Sequence, residues 1–297
     1  MLKKPSNRTD HMREDFCVFI LSNRRPNNVK TLDTLQASGY TGKYYIVIDD
    51  EDPTADEYKA NFGDRVLVFS KSKVAETVDS CDSSTDRRTP LWARNACWDL
   101  SNQVNCRYFC QLDDDYSYFA YRRIGKKEPD KPTKYSCFRI ESLDIIFDAM
   151  AEFIEKTPSV SSIAFSQGGD YVTSSEKARS VLRKTMNSFF CDNQRPFKFI
   201  GRFNDDVNTY IAHGATGHLF FTYCQVQLTQ AMTQQNKGGI TEAYRENGTY
   251  VKSFYTVMIS PSSTCIKLMG HRNPRLHHTH DWDKVCPKII HEKYRRP

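Results

Sequence analysis

Over residues 16–112, short apolar runs rich in β-forming residues alternate with stretches of helical spacing, and this constrains the fold more than any other feature. FCVFIL (16–21) is followed by NNVKTLDTLQ (27–36), where Val29, Leu32 and Leu35 recur at near-helical spacing before a turn at Gly39 and Gly42. YYIVI (44–48) predicts a second buried strand, residues 53–61 a helix opened by a proline, and RVLVF (65–69) a third strand. TPLWARNACWDLSNQ (89–103) predicts a helix with Thr89 as N-cap and Pro90 in its first turn, leading into the strand RYFCQL (107–112). Strand and helix in turn, joined by short links, predict an α/β fold whose mostly parallel sheet carries helices on both faces. Ligands of such sheets bind outside the carboxyl ends of the strands. Polar clusters stand at three such ends, Ser22–Arg25, Asp49–Asp50 and Asp113–Asp115, and together they predict one shared crevice.

The second half is less regular. YRRIGKKEPDKPTKYSCFR (121–139) is dense in Lys and Arg and reads as a surface loop or basic insertion. ESLDIIFDAMAEFIEK (141–156) is an amphipathic helix with Leu143, Ile146, Met150, Phe153 and Ile154 on one side. IAF (163–165), HLFFTYCQVQL (218–228), YVKSFYTVMI (250–259) and TCIKLM (264–269) are strand candidates, which predicts a mixed second half. With no repeat and no low-complexity linker, the simplest organisation is a single domain over 1–297.

Composition removes several classes. The formal charge of +6 permits an anionic partner such as nucleic acid without requiring one. No stretch approaches the roughly 18 apolar residues of a membrane span, and MLKKPSNRTDHMRED lacks the apolar segment of a secretion signal. The ten cysteines show no CxxC and no zinc-like spacing, so reduced thiols in a cytoplasmic protein are expected, and the sequons at Asn7 and Asn247 carry no meaning. GxGxxG, the phosphate loop, HExxH and the zinc-deaminase signature are all missing. No His is followed two residues later by an acid, which argues against a facial-triad iron oxygenase.

The aspartate run therefore carries the chemistry. In an extended segment Asp113 and Asp115 point to one side and Asp114 to the other, so the outer pair can converge on a hard divalent cation that shares its coordination with phosphate. The plain alternative is an acidic turn in water. Arg94, in the helix before that strand, has the planar fork suited to a diphosphate, and Asp49 or Asp50 can accept from ribose hydroxyls or a base edge. As turn residues the latter two can equally cap the helix that follows. Asn204, Asp205 and Asp206 open a short helix in GRFNDDVNTYIAHG, where the helix dipole alone favours acids. Their functional reading is a general base for an attacking hydroxyl. In LHHTHDWD, His278 and His280 share a side if extended, and neutral imidazole there would complete a metal site begun by Asp115.

With these parts in order, the segments FILSNRR, YYIVIDDED, WARNACWDL and RYFCQLDDDYSYF resemble a glycosyltransferase of the GT-A fold, a Rossmann-type nucleotide-binding sheet. ARNACWDL, then QLDDDY, then GRFNDDVNTY more narrowly resemble the TET-associated glycosyltransferases of phage DNA hypermodification, well over 16–120 and more loosely over 200–285. The resemblance implies a nucleotide-sugar-binding half at 14–120, a basic insertion with linking helices at 121–200 and an acceptor and catalytic half at 201–297. It implies transfer from a UDP-sugar to the hydroxyl of a 5-hydroxymethylpyrimidine in DNA, with inversion, in a host cytoplasm. Ser22, Asn23, Arg24, Asp49, Asp50, Arg94, Asp113 and Asp114 would meet the nucleotide-sugar. Asp115 with Asp113 and His278 or His280 would hold Mn2+ or Mg2+, and Asp205 or Asp206 would be the base. Two rivals remain, a GT-A enzyme acting on a sugar or protein hydroxyl and a nucleotidyltransferase forming nucleotide-sugars. The second is disfavoured because its glycine-rich N-terminal loop is missing.

Overall fold

The structure, a computed structural model, describes residues 12–124, 135–167, 184–230, 240–269 and 274–294. Strands β1 (Phe16–Leu21), β2 (Lys43–Asp49), β3 (Val66–Phe69) and β4 (Tyr108–Asp113) alternate with helices α1 (Lys30–Ala37), α2 (Ala55–Phe62), α3 (Lys71–Ala75) and α4 (Leu91–Gln103). All of β1 is buried because the sheet is covered on both sides. Phe16, Val18 and Ile20 enter one core with Tyr108, Cys110 and Leu112, whereas Cys17, Phe19 and Leu21 enter another with Phe109 and the α4 residues Leu91, Trp92 and Ala96. The parallel register pairs Leu21 with Val47 on one side and with Asp113 on the other, so the carboxyl ends of β1, β2 and β4 lie level.

The chain continues through β5 (Tyr116–Ile124), β6 (Tyr135–Arg139), α5 (Leu143–Lys156), β7 (Val160–Gln167), β8 (Phe189–Asp192), α6 (Asp205–Ala215) and β9 (Leu219–Gln230). Helix α7 (Ile240–Ile259), β10 (Thr264–Met269), β11 (Arg275–His280) and α8 (Trp282–Val285) follow. The central sheet runs β3-β2-β1-β4-β8-β7-β9-β5-β6, and β10-β11 form a separate hairpin. Strands β3, β2, β1 and β4 are parallel neighbours; β8 opposes both β4 and β7, and β9 runs parallel to β7 but against β5. A parallel half joined to a mixed half is the arrangement expected from the sequence.

Three local expectations need correction. The basic stretch 121–139 is not simply a loop: β5 extends to Ile124 and pairs antiparallel with β6, while residues 125–134 lie outside the described residues. Residues 250–259 are helical, although their Tyr, Val, Phe and Ile content favours a strand. A helix brings Ser253 and Thr256 onto one buried face, where Ser253 Oγ donates to the Leu276 carbonyl of β11 at 3.1 Å. Tyr250, Phe254 and Met258 then line the exposed side. These tertiary contacts outweigh propensity. Pro90, not Thr89, occupies the N-cap of α4, and no side chain caps that end.

Candidate active site

Three adjacent carboxylates repel one another, so their backbone must be pinned. Thr31 of α1 does this: its Oγ1 donates to the Asp113 carbonyl at 2.6 Å and accepts from the Tyr116 N–H at 3.0 Å. Its own N–H donates to the Asp114 carbonyl at 3.2 Å. The side chains then diverge as strand alternation predicts. Asp114 turns toward the loop after β1 and accepts from Ser22 Oγ at 2.6 Å and from Arg25 Nη1 at 2.7 Å. Ser22 Oγ also bonds the Tyr58 hydroxyl, which accepts from the Arg25 N–H. Asp114, expected at the nucleotide-sugar, is thus 3% exposed and locks the β1 loop in place.

Asp113 turns toward α4, where Arg94 is 2% exposed. Arg94 Nη2 lies 3.3 Å from Asp113 Oδ1 and Arg94 Nε lies 2.9 Å from Asp205 Oδ2. Gln230, at the end of β9, donates to the other Asp113 oxygen at 3.2 Å. Burial pushes the Asp113 carboxyl up to about 7 against the pull of Arg94, with Asp115, Asp114 and Asp205 adding to the rise. Asp205 is pushed up to about 6 by burial, Arg94 again opposing and Asp206 adding. Arg94 itself stays charged, because burial is outweighed by Asp113, Asp205 and Asp206. Arg94, expected at the diphosphate, bridges the carboxylates of β4 and α6, and its buried Nη1 has no hydrogen-bond partner among the described residues.

The turn into α6 uses two left-handed residues, Gly201 (φ 84) and Asn204 (φ 53). A Cβ on Gly201 would come within 2.3 Å of the Asn208 amide, so glycine is required there. Asp206 Oδ1 accepts from the Val207 N–H at 2.8 Å. The Asn204 amide nitrogen lies 2.8 Å from the Lys252 carbonyl, 3.1 Å from Thr256 Oγ1 and 3.3 Å from His278 Nδ1. A carbonyl can only accept, so this end of the amide is the donor, and its two protons serve the Lys252 carbonyl and one of the other two acceptors. His280 Nδ1 lies 3.1 Å from Thr264 Oγ1, and the buried Nε2 of that ring has no hydrogen-bond partner among the described residues. Burial keeps both rings neutral, lowering His278 to about 2 and His280 to about 4.

The donor set at the acidic turn fits a dication. Asp114 pairs with Arg25, and Asp113 and Asp205 with Arg94, while Asp115 and Asp206 add negative charge that raises the Asp113 and Asp205 carboxyls. Among the described residues no three His, Cys, Asp or Glu side chains have closed into a metal site, so His278 and His280 are not gathered with Asp115 in this structure.

The profile of the TET-associated glycosyltransferases matches residues 16–239, most of the chain. The chain belongs to this family. No curated protein sequence matches it. Among solved structures it is similar to glucosyl-3-phosphoglycerate synthase from Mycobacterium tuberculosis, in complex with Mg2+ and UDP, at 10% identity and a TM-score of 0.44, covering 90% of this chain and 88% of that one. It is also similar to the mannosyltransferase PcManGT from Pyrobaculum calidifontis, in complex with GDP-Man and Mn2+, at 12% identity and a TM-score of 0.44, covering 87% and 78%.

On the other side of this TET-associated glycosyltransferase's acidic turn, the ends of β1, β2 and β3 form a second polar group. Asn23 Nδ2 donates to Asp49 Oδ2 at 3.2 Å, and Lys71 Nζ lies 2.9 Å from Asp49 Oδ1 and 3.5 Å from Glu51. Asp50 is exposed and accepts from the Lys71 N–H at 2.9 Å; that bond and Ser70 hold its carboxyl low against the opposing effect of burial. Arg24 adopts φ 57, and its N–H donates to Asp52. Sequence reasoning missed Lys71, Thr31 and Gln230 and gave Asn204 no role. Lys71 had a signal, since it follows the third strand as Asp49 follows the second. Thr31 and Gln230 had none, because only the tertiary fold brings them to Asp113.

Proposed function

We propose that this glycosyltransferase moves a sugar from a UDP-sugar to the hydroxyl of a 5-hydroxymethylpyrimidine in DNA, with inversion, using Mn2+ or Mg2+ at the acidic turn. The observation that carries the reading is the Arg94 bridge, which sets the donor-side Asp113 and the acceptor-side Asp205 on one guanidinium. Asp113 and Asp115 would hold the ion, with His280 as a further ligand only if metal binding draws β11 to the turn, and the ion would supply Lewis-acid neutralisation at the leaving diphosphate. Asn23, Asp49 and Asp50 meet the nucleoside. The acceptor oxygen bonds the anomeric carbon, and the carbon–oxygen bond to the diphosphate breaks on the opposite face, its electron pair leaving with the nucleotide. The hydroxyl proton passes to Asp206, whose Oδ1 is engaged by a backbone N–H, while Asp205 is held by Arg94 and orients the pair.

Support for DNA comes from the far edge of the sheet. Tyr121 and Phe138 are cross-strand neighbours, 39% and 52% exposed, beside a Lys-rich stretch of sequence that lies mostly outside the described residues. Exposed aromatic faces with nearby cations suit stacked bases and phosphates. The test incubates the protein, Mn2+ and a panel of UDP-sugars with DNA containing 5-hydroxymethylcytosine, 5-hydroxymethyluracil or unmodified bases, and reads nucleoside masses and anomeric configuration. Adducts confined to hydroxymethyl bases and lost in Asp115→Ala are expected. Metal-independent transfer would sink the metal assignment, retention would sink the single displacement, and adducts only on a sugar or protein hydroxyl would move the acceptor.

A further inference from the structure

Asn204 joins three features that the reaction scheme leaves unused. Its backbone is left-handed (φ 53, ψ 38), a conformation asparagine tolerates better than most residues. The residue is 5% exposed. Its amide reaches two other elements, α7 through the Lys252 carbonyl and Thr256 Oγ1 and β11 through His278 Nδ1. Thr256 and His278 are themselves 0% and 4% exposed, so these partners are fixed. The Asn204 carbonyl accepts the first helical bond of α6, from the Asn208 N–H at 2.8 Å, and the next two residues are Asp205 and Asp206. Both tethering elements lie beyond residue 239, where the family match ends.

We propose that Asn204 is a positioning residue that sets the two α6 carboxylates by tying the start of that helix to α7 and β11. The proposal rests on the reading of the Asp205–Asp206 pair as the proton-accepting side of the reaction. Arg94 holds Asp205 from the α4 side, and Asn204 holds the same turn from behind. With the amide gone, α6 keeps its helix but loses the contact that fixes where its first turn begins. A displacement of about 1 Å at a reacting group costs on the order of a hundredfold in rate.

The test uses the full chain and compares Asn204→Gly, Asn204→Asp, Thr256→Ser, Thr256→Val, Asp205→Asn and Asp206→Asn by kcat, donor KM and melting temperature. Asn204→Gly keeps the left-handed backbone and removes the amide; its kcat is expected to fall about tenfold to a hundredfold with donor KM within about twofold. Asn204→Asp should be worse, since it loses the same donor and also sets a buried carboxylate against the Lys252 carbonyl oxygen. Thr256→Ser should retain kcat, and Thr256→Val should lower it. Wild-type kcat in Asn204→Gly, or a loss that only follows unfolding at the assay temperature, overturns the proposal. If Asp205→Asn and Asp206→Asn both keep kcat, the base reading fails and the proposal falls with it. If either loses kcat while Asn204→Gly does not, only the positioning role fails.

Discussion

The proposed donor side and the proposed acceptor side are built by different means. On the donor side, Ser22, Asn23, Asp49, Lys71 and Asp113 stand where the first four strands end, and a level register delivers them to one edge. On the acceptor side, Asp205 and Asp206 follow a turn with two left-handed residues, held by α4, α7 and β11. The first side follows from sheet geometry, whereas the second depends on a few buried polar contacts. Leaving aside Asp113, proposed to hold the metal ion, single substitutions on the acceptor side should therefore change rate more steeply than those on the donor side.

The hardest test of that contrast is Arg94, the residue that joins the two sides. Arg94→Met keeps the volume but leaves the buried Asp205 and the half-buried Asp113 without their charge partner. Removing one member of a buried pair costs about 3–5 kcal/mol, and catalytic rate should fall far more than donor affinity. Chemical denaturation and steady-state kinetics check both; a stable, active Arg94→Met would show that the bridge is incidental.

The aspartate run supplies a sharper comparison within three residues. Asp113→Asn should abolish transfer with little change in stability. Asp114→Asn should lower stability by about 1–3 kcal/mol, because Arg25 and Ser22 lose a charged acceptor in a buried setting. If Asp114→Asn instead raises donor KM with unchanged stability, the β1-loop lock is wrong.

Acidity separates the sides again. The Asp205 carboxyl lies at about 6 in the folded chain, above its ordinary 3.8. Because the folded value is the higher one, its stabilising contribution is complete below about 3.8 and is lost as pH rises through about 6. Melting temperature should thus fall by a few degrees from about pH 4 to pH 6, with Asp113 extending the fall toward about 7, and Asp205→Asn should flatten the lower part of that slope. A slope unchanged by Asp205→Asn would assign it to other groups.

The contrast also explains what was legible. Every strand of the parallel half could be read, since burial on both faces writes continuous apolar runs such as FCVFIL. The acidic strand end followed from the same pattern. What escaped was information that no local period carries. Residues 250–259 look like a strand until Ser253 and Thr256 meet β11 and Asn204. The Arg94 bridge exists only once α4 and α6 pack together. The contact of His278 with Asn204, 74 residues earlier in the chain, follows from no local pattern.

The smallest effect expected is at Lys71. Its ammonium is nearly buried, bonds Asp49 at 2.9 Å and reaches Glu51 at 3.5 Å, so it holds Asp49 toward Asn23 at the nucleoside end of the crevice. Lys71→Met removes that charge far from the bond being broken. An interaction made equally in the ground and transition states changes KM and leaves kcat alone. Donor KM should rise about fivefold to tenfold with kcat unchanged, about 1 kcal/mol, because Lys71 acts on the nucleoside only through Asp49. A fall in kcat with constant KM would mean that the donor-side residues also govern the chemical step, and the division between the two sides would lose its basis.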